Sequence, residues 1–98
     1  MMKRDEVLSK LQAQQKDLVE RYQIASLSVF GSVARNEAHA DSDVDLLVEF
    51  AQPVGLFQFI ELQQHLETIL GSKVDLGTPR SLKPRFKARV LEEAIRVV

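Results

Sequence analysis

Cysteine and tryptophan are missing from this sequence, and tyrosine occurs once, proline three times and glycine four times in 98 residues. Without cysteine there is no disulfide frame, no thiolate nucleophile and no zinc knuckle. No apolar run approaches the ~20 residues needed to span a membrane. The opening residues, Met-Met-Lys-Arg-Asp-Glu, are charged and lack the apolar stretch of a secretory signal, so a cytoplasmic location is expected. Excess positive charge is lacking too. A net charge of -1 argues against a general nucleic-acid binder, which is normally basic. Length bounds the rest: 98 residues make about one small domain, taken here as 1–98, with no room for a separate substrate-binding unit.

What is present concentrates in residues 28–50. An apolar run stops at Gly31-Ser32, and a second opens on Asp43-x-Asp45. In an extended strand side chains alternate, so Asp43 and Asp45 project to one side while Val44, Leu46 and Val48 take the other. Two adjacent carboxylates repel each other unless a cation sits between them. An all-oxygen donor set points to a hard ion such as Mg²⁺, which is usually held by one or two carboxylates together with substrate phosphates. The phosphate side comes from the first run. Gly31 adopts backbone angles closed to other residues and admits a phosphate close to the main chain. Ser32 offers a hydroxyl and an amide, the following residues read as the start of a short helix, and Arg35 adds a forked cation suited to phosphate.

With Gly31, Ser32, Ala34, Arg35, Ser42, Asp43, Asp45, Leu46, Leu47 and Val48 in place, the sequence resembles the minimal nucleotidyltransferases of the DNA polymerase beta-like superfamily. Val74-Asp75-Leu76 matches that family's third carboxylate, and residues 80–84 its usual tail. Asn36 stands where the family commonly has glycine, and Asn is the residue that best tolerates the left-handed conformation. The resemblance implies Asp43, Asp45 and Asp75 as catalytic residues and ligands of two Mg²⁺ ions, with ATP as substrate. It implies Gly31, Ser32, Arg35 and Ser42 as nucleotide contacts. It further implies transfer of AMP to a hydroxyl, a tyrosine of a cognate HEPN-domain ribonuclease toxin, with this chain as the antitoxin and a hetero-oligomer as the expected assembly. The alternative is an antitoxin that neutralises its partner by contact alone.

The expected fold is α/β (α+β), a small mixed sheet flanked by helices in the order α-β-α-β-α-β-α. Residues 4–22 read as one amphipathic helix carrying Val7, Leu11, Leu18 and Tyr22 on its stripe. Strands are expected at 24–30, 44–50 and 73–76. A helix over 56–70 is expected to bury Leu56, Phe59, Ile60, Leu62, Leu66, Ile69 and Leu70, with Gly71 as its stop. A last helix from Pro84 to about Ile95 is expected to bury Phe86, Val90, Leu91, Ala94 and Ile95. His65 reads as a surface residue. Charge is segregated: residues 36–72 contain no Lys or Arg, whereas Lys73, Arg80, Lys83, Arg85, Lys87, Arg89 and Arg96 follow. An antiparallel first pair and a parallel second pair of strands would gather Gly31, Asp43, Asp45 and Asp75 at one end of the sheet.

Overall fold

The computed structural model describes residues 3–38 and 43–98. Ser42, expected above to contact the nucleotide, lies outside them. The chain begins with α1 (Arg4–Ala13) and α2 (Gln15–Tyr22), where one continuous helix was expected. The break falls at Gln14 (φ -104°, ψ 7°), inside an exposed polar turn with no buried side chain to hold it straight. The expected stripe is intact on both pieces, with Val7, Leu11, Leu18 and Tyr22 all buried.

Among the described residues four strands follow: β1 (Ile24–Phe30), β2 (Val44–Phe50), β3 (Val74–Gly77) and β4 (Ile95–Arg96), with α3 (Gly31–Ala34) between the first two. The sheet order is β3-β2-β1-β4. β1 and β2 are antiparallel, and a bulge between Ile24 and Ser26 explains why the buried residues run Ile24, Leu27, Val29 rather than strictly alternating. β2 and β3 are parallel, joined through α4 (Leu56–Leu70), as a helical crossover requires.

On α4 the buried row is Leu62, Leu66 and Leu70, one residue per turn against the sheet. Leu56 and Ile60 do not join it; they are 70% and 40% exposed. At about 100° per residue, Ile60 lies on the far side from Leu62, and Leu56, at the first position of the helix, is turned about 120° away from Leu62. Gly71 closes the helix in the left-handed conformation (φ 67°), as expected. Leu66 has no exposed surface, so Leu66→Ala should destabilise the fold by about 3 kcal/mol in urea unfolding. A loss under about 1 kcal/mol would show that this row is loosely packed.

The C-terminal region differs more. After a 3₁₀ turn (Pro79–Ser81), α5 (Pro84–Glu93) stops two residues short of the expected end. Ala94 is already extended, and the chain returns as β4, pairing antiparallel with β1 at Ser28 and Val29. That short strand covers an edge of β1 that would otherwise be open. On α5 only Val90 is buried; Phe86 and Leu91 are 45% and 52% exposed because the helix lies along the surface. His65 is less exposed than expected: its ring packs 5.6 Å from that of Tyr22, and its Nε2 lies 3.7 Å from Asp17 Oδ2. Among the described residues, no helix is long and apolar enough to cross a membrane.

Candidate active site

β2 and β3 place Asp45 and Asp75 side by side as register partners, so both carboxylates leave the same face of the sheet. On the other flank Asp45 faces Phe30, the last residue of β1. Gly31 comes next and is built into the site by what it lacks. A Cβ there would overlap Asp45 Oδ2 and come within 3.0 Å of Cγ. Its φ of 73° is also disfavoured for any residue with a side chain. The glycine therefore makes room for the carboxylate and turns the chain out of β1 at the same point. Asp43, just before β2, is exposed, whereas Asp45 is half-buried.

The loop is closed by its own backbone. The amides of Arg35, Asn36 and Glu37 donate to the carbonyls of Gly31, Val33 and Ser32 at 3.1, 2.9 and 2.8 Å. Asn36 has φ 59°, a left-handed conformation that Asn tolerates better than most residues with a side chain. Val33 and Ala34 are buried and anchor the turn, leaving Gly31 against Asp45 and Ser32 next in the chain. α3 is a single turn, so its dipole is small and anion contact falls to individual N–H groups. Arg35 donates from Nε to Glu37 (3.0 Å) and from Nη1 to both oxygens of Glu93 (3.0 and 3.1 Å). Nothing in the sequence pattern marked Glu93, which reaches the site only through the tertiary fold.

Electrostatics identify the strained group. Burial, then the charges of Asp75 and Asp43, then a hydrogen bond to Asp75 push the Asp45 carboxyl from 3.8 up to about 6, against a smaller opposing pull from Arg35. Between pH 4 and 6 folded Asp45 retains a proton that the unfolded chain has lost. Its contribution to stability is therefore most favourable below pH 4 and declines as pH rises to about 6. In metal-free buffer, a pH series of melting curves should show this decline, and Asp45→Asn should flatten it. Equal slopes for both proteins would mean that Asp45 ionises without strain.

Among the described residues, no group of three or more His, Cys, Asp or Glu side chains is placed to hold a metal ion. The donors present nonetheless fit a hard divalent cation. They are all oxygen, and Asp45 gains from any cation that offsets Asp43 and Asp75. A groove of about 740 Å³ lies elsewhere, at the far end of β2, lined by residues including Phe50, Val54, Phe59 and Arg80. None of the described candidate site residues lines it. Ligands gripped by charge do not need such an apolar groove, so the acid cluster is the better candidate.

The chain is similar to known proteins in sequence and in fold. Residues 11–97 match the nucleotidyltransferase domain family. The chain is 44% identical over 97 residues to the protein adenylyltransferase MntA of Thermococcus cleftensis, covering 99% of this chain and 98% of that protein. It superposes with TM-score 0.74 on a solved structure described as a minimal nucleotidyltransferase, at 43% identity, covering 90% of this chain and 93% of the other. A chain from the complex of tri-AMPylated Shewanella oneidensis HEPN toxin with MNT antitoxin matches at TM-score 0.65. There the coverage is 93% of this chain and 71% of that one, and at 22% identity the likeness is one of fold. The polymerase beta-like sheet, the Gly31 turn and the paired acids of adjacent strands thus have one explanation: the chain belongs to the nucleotidyltransferase domain family, in its minimal nucleotidyltransferase branch.

Proposed function

We propose that this protein transfers AMP from ATP to a hydroxyl of a partner protein, a tyrosine of a HEPN-domain ribonuclease toxin, and thereby acts as its antitoxin. The observation that carries the chemistry is the pairing of Asp45 with Asp75, with the Asp45 carboxylate packed into the space that Gly31 leaves by lacking a side chain. Similarity to a protein adenylyltransferase over nearly the whole chain supports the acceptor class.

Asp43, Asp45 and Asp75 would hold two Mg²⁺ ions. When bound, these supply charge neutralisation at the α-phosphate and lower the pKa of the attacking hydroxyl. The remaining work falls to the chain itself. Gly31 and Ser32 hold the β- and γ-phosphates through main-chain N–H groups and the serine hydroxyl. Asp75 is exposed, so an acceptor can reach it, and it takes the proton as the hydroxyl oxygen bonds to the α-phosphorus. The bond to the β-phosphate oxygen breaks on the opposite side, and pyrophosphate leaves. Half-buried Asp45 is fixed between two strands and keeps the reacting groups in line.

The test is intact-mass spectrometry of the co-expressed HEPN partner after incubation with ATP and Mg²⁺. AMP-sized increments are expected, lost on chelation with EDTA. An unmodified partner in a tight complex, still neutralised by the Asp43→Ala/Asp45→Ala protein, would replace catalysis by neutralisation through contact.

A further inference from the structure

We infer that Glu93 is a positioning residue for the transfer reaction: through Arg35 it holds the turn that carries Gly31 and Ser32 against Asp45. This rests on reading the site as a nucleotidyl-transfer centre.

The argument begins with α3. Four residues cannot sustain a helix on their own, so the turn takes its position from what it is tied to. Val33 and Ala34 anchor one side in the core. Arg35, the residue that caps α3, anchors the other by reaching the last residue of α5, far along the chain. One guanidinium nitrogen sits between both Glu93 oxygens, while Nε is held by Glu37.

An exposed ion pair by itself contributes little. Three features set this one apart. The Glu93 side chain is only 20% exposed, against 36% for Arg35. The pair is part of a three-group network rather than an isolated contact. Most telling is its placement, because a carboxylate at a helix C-terminus is opposed by the helix dipole. The last turn of α5 contains no basic residue to offset it. Arg35 supplies the missing positive charge from outside the helix.

Topology completes the clamp. Directly after Glu93 and Ala94 the chain enters β4, which pairs with Ser28 and Val29 just ahead of Gly31. The turn is thus gripped on both sides by one C-terminal segment, by backbone pairing before it and by Glu93 after it. Two carboxylates already surround the single charge of Arg35, which suits a tie better than a triphosphate ligand.

The test combines local hydrogen exchange with steady-state transfer to the HEPN partner, using Glu93→Gln, Arg35→Glu and the charge-swapped double variant. In Glu93→Gln, amides of residues 31–37 should exchange about tenfold faster, with those of α4 unchanged. Its kcat/KM for ATP should fall by about tenfold. The swap keeps an arginine between two glutamates and should restore both values toward those of the unaltered protein. Unchanged exchange in Glu93→Gln would overturn the inference. So would a swap that restores slow exchange but not transfer, since Arg35 would then be needed at its own position as a ligand. If the unaltered protein shows no transfer, the proposed reaction fails, and exchange alone still decides whether Glu93 holds the turn.

Discussion

Asp45→Asn should lose transfer by at least about 10³-fold and yet melt at a higher temperature than the unaltered protein in metal-free buffer near pH 8. Both halves come from one environment. Asp45 is wedged between Phe30 and Asp75, partly removed from water and facing two further negative charges. Ionised, it is a strained group that only a cation relieves. The amide has nearly the same shape and no charge, so it removes the repulsion and the donor together. Sites of this kind commonly trade stability for activity. The measurement is a pair of melting curves alongside a transfer assay. Lower stability would mean that the carboxylate is held by favourable contacts, and retained transfer would remove Asp45 from the chemistry. Adding Mg²⁺ should narrow the melting difference, because the cation stabilises only the acid.

Gly31→Ala should be the most damaging single-methyl addition at any of the glycines. Two penalties combine there: a left-handed backbone, costing about 1–3 kcal/mol for a residue with a side chain, and overlap of the new Cβ with the Asp45 carboxylate. Gly71 separates them. It shares the left-handed conformation (φ 67°) but has open space around it. Gly71→Ala should therefore cost about 1 kcal/mol and leave kcat unaltered. Gly31→Ala should cost more and also reduce transfer by about 10²-fold, because the Asp45 carboxylate must leave its present position beside Gly31 to make room. Equal stability losses with transfer intact in both would mean that the strand ends yield and the carboxylate does not move. Urea titration and the transfer assay, run on both variants, decide between these outcomes.

The parts of this arrangement that sequence made legible were those with a local cause. Gly31 and Asp45 fall where apolar strand patterns end and begin, and the antiparallel pairing does bring them together. Asp75 falls beside Asp45 because a helix-length connection favours a parallel neighbour, and Asn36 takes the conformation its residue type allows. The illegible parts have non-local causes. Ile95 and Arg96 look like the continuation of a helix until the open edge of β1 offers them hydrogen bonds. Phe86 and Leu91 read as core, but their burial depends on where α5 lies, which no periodicity encodes. Glu93 is one acid among several in the chain, distinguished only by the arginine it meets.

The parallel register of β2 and β3 makes α4 a measuring rod for the chemistry. Side chains alternate with every residue, so slipping β3 by one position would deliver Asp75 to the opposite face of the sheet. Length changes between the two acids are thus unequal in consequence. A residue added among 51–55, a five-residue irregular segment, can be absorbed before α4 starts. A residue added at 71–73, between Leu70 and Val74, has no slack to take it up and bears directly on the register. Diversity of length in this fold should therefore collect on the near side of α4 and stay away from its far end.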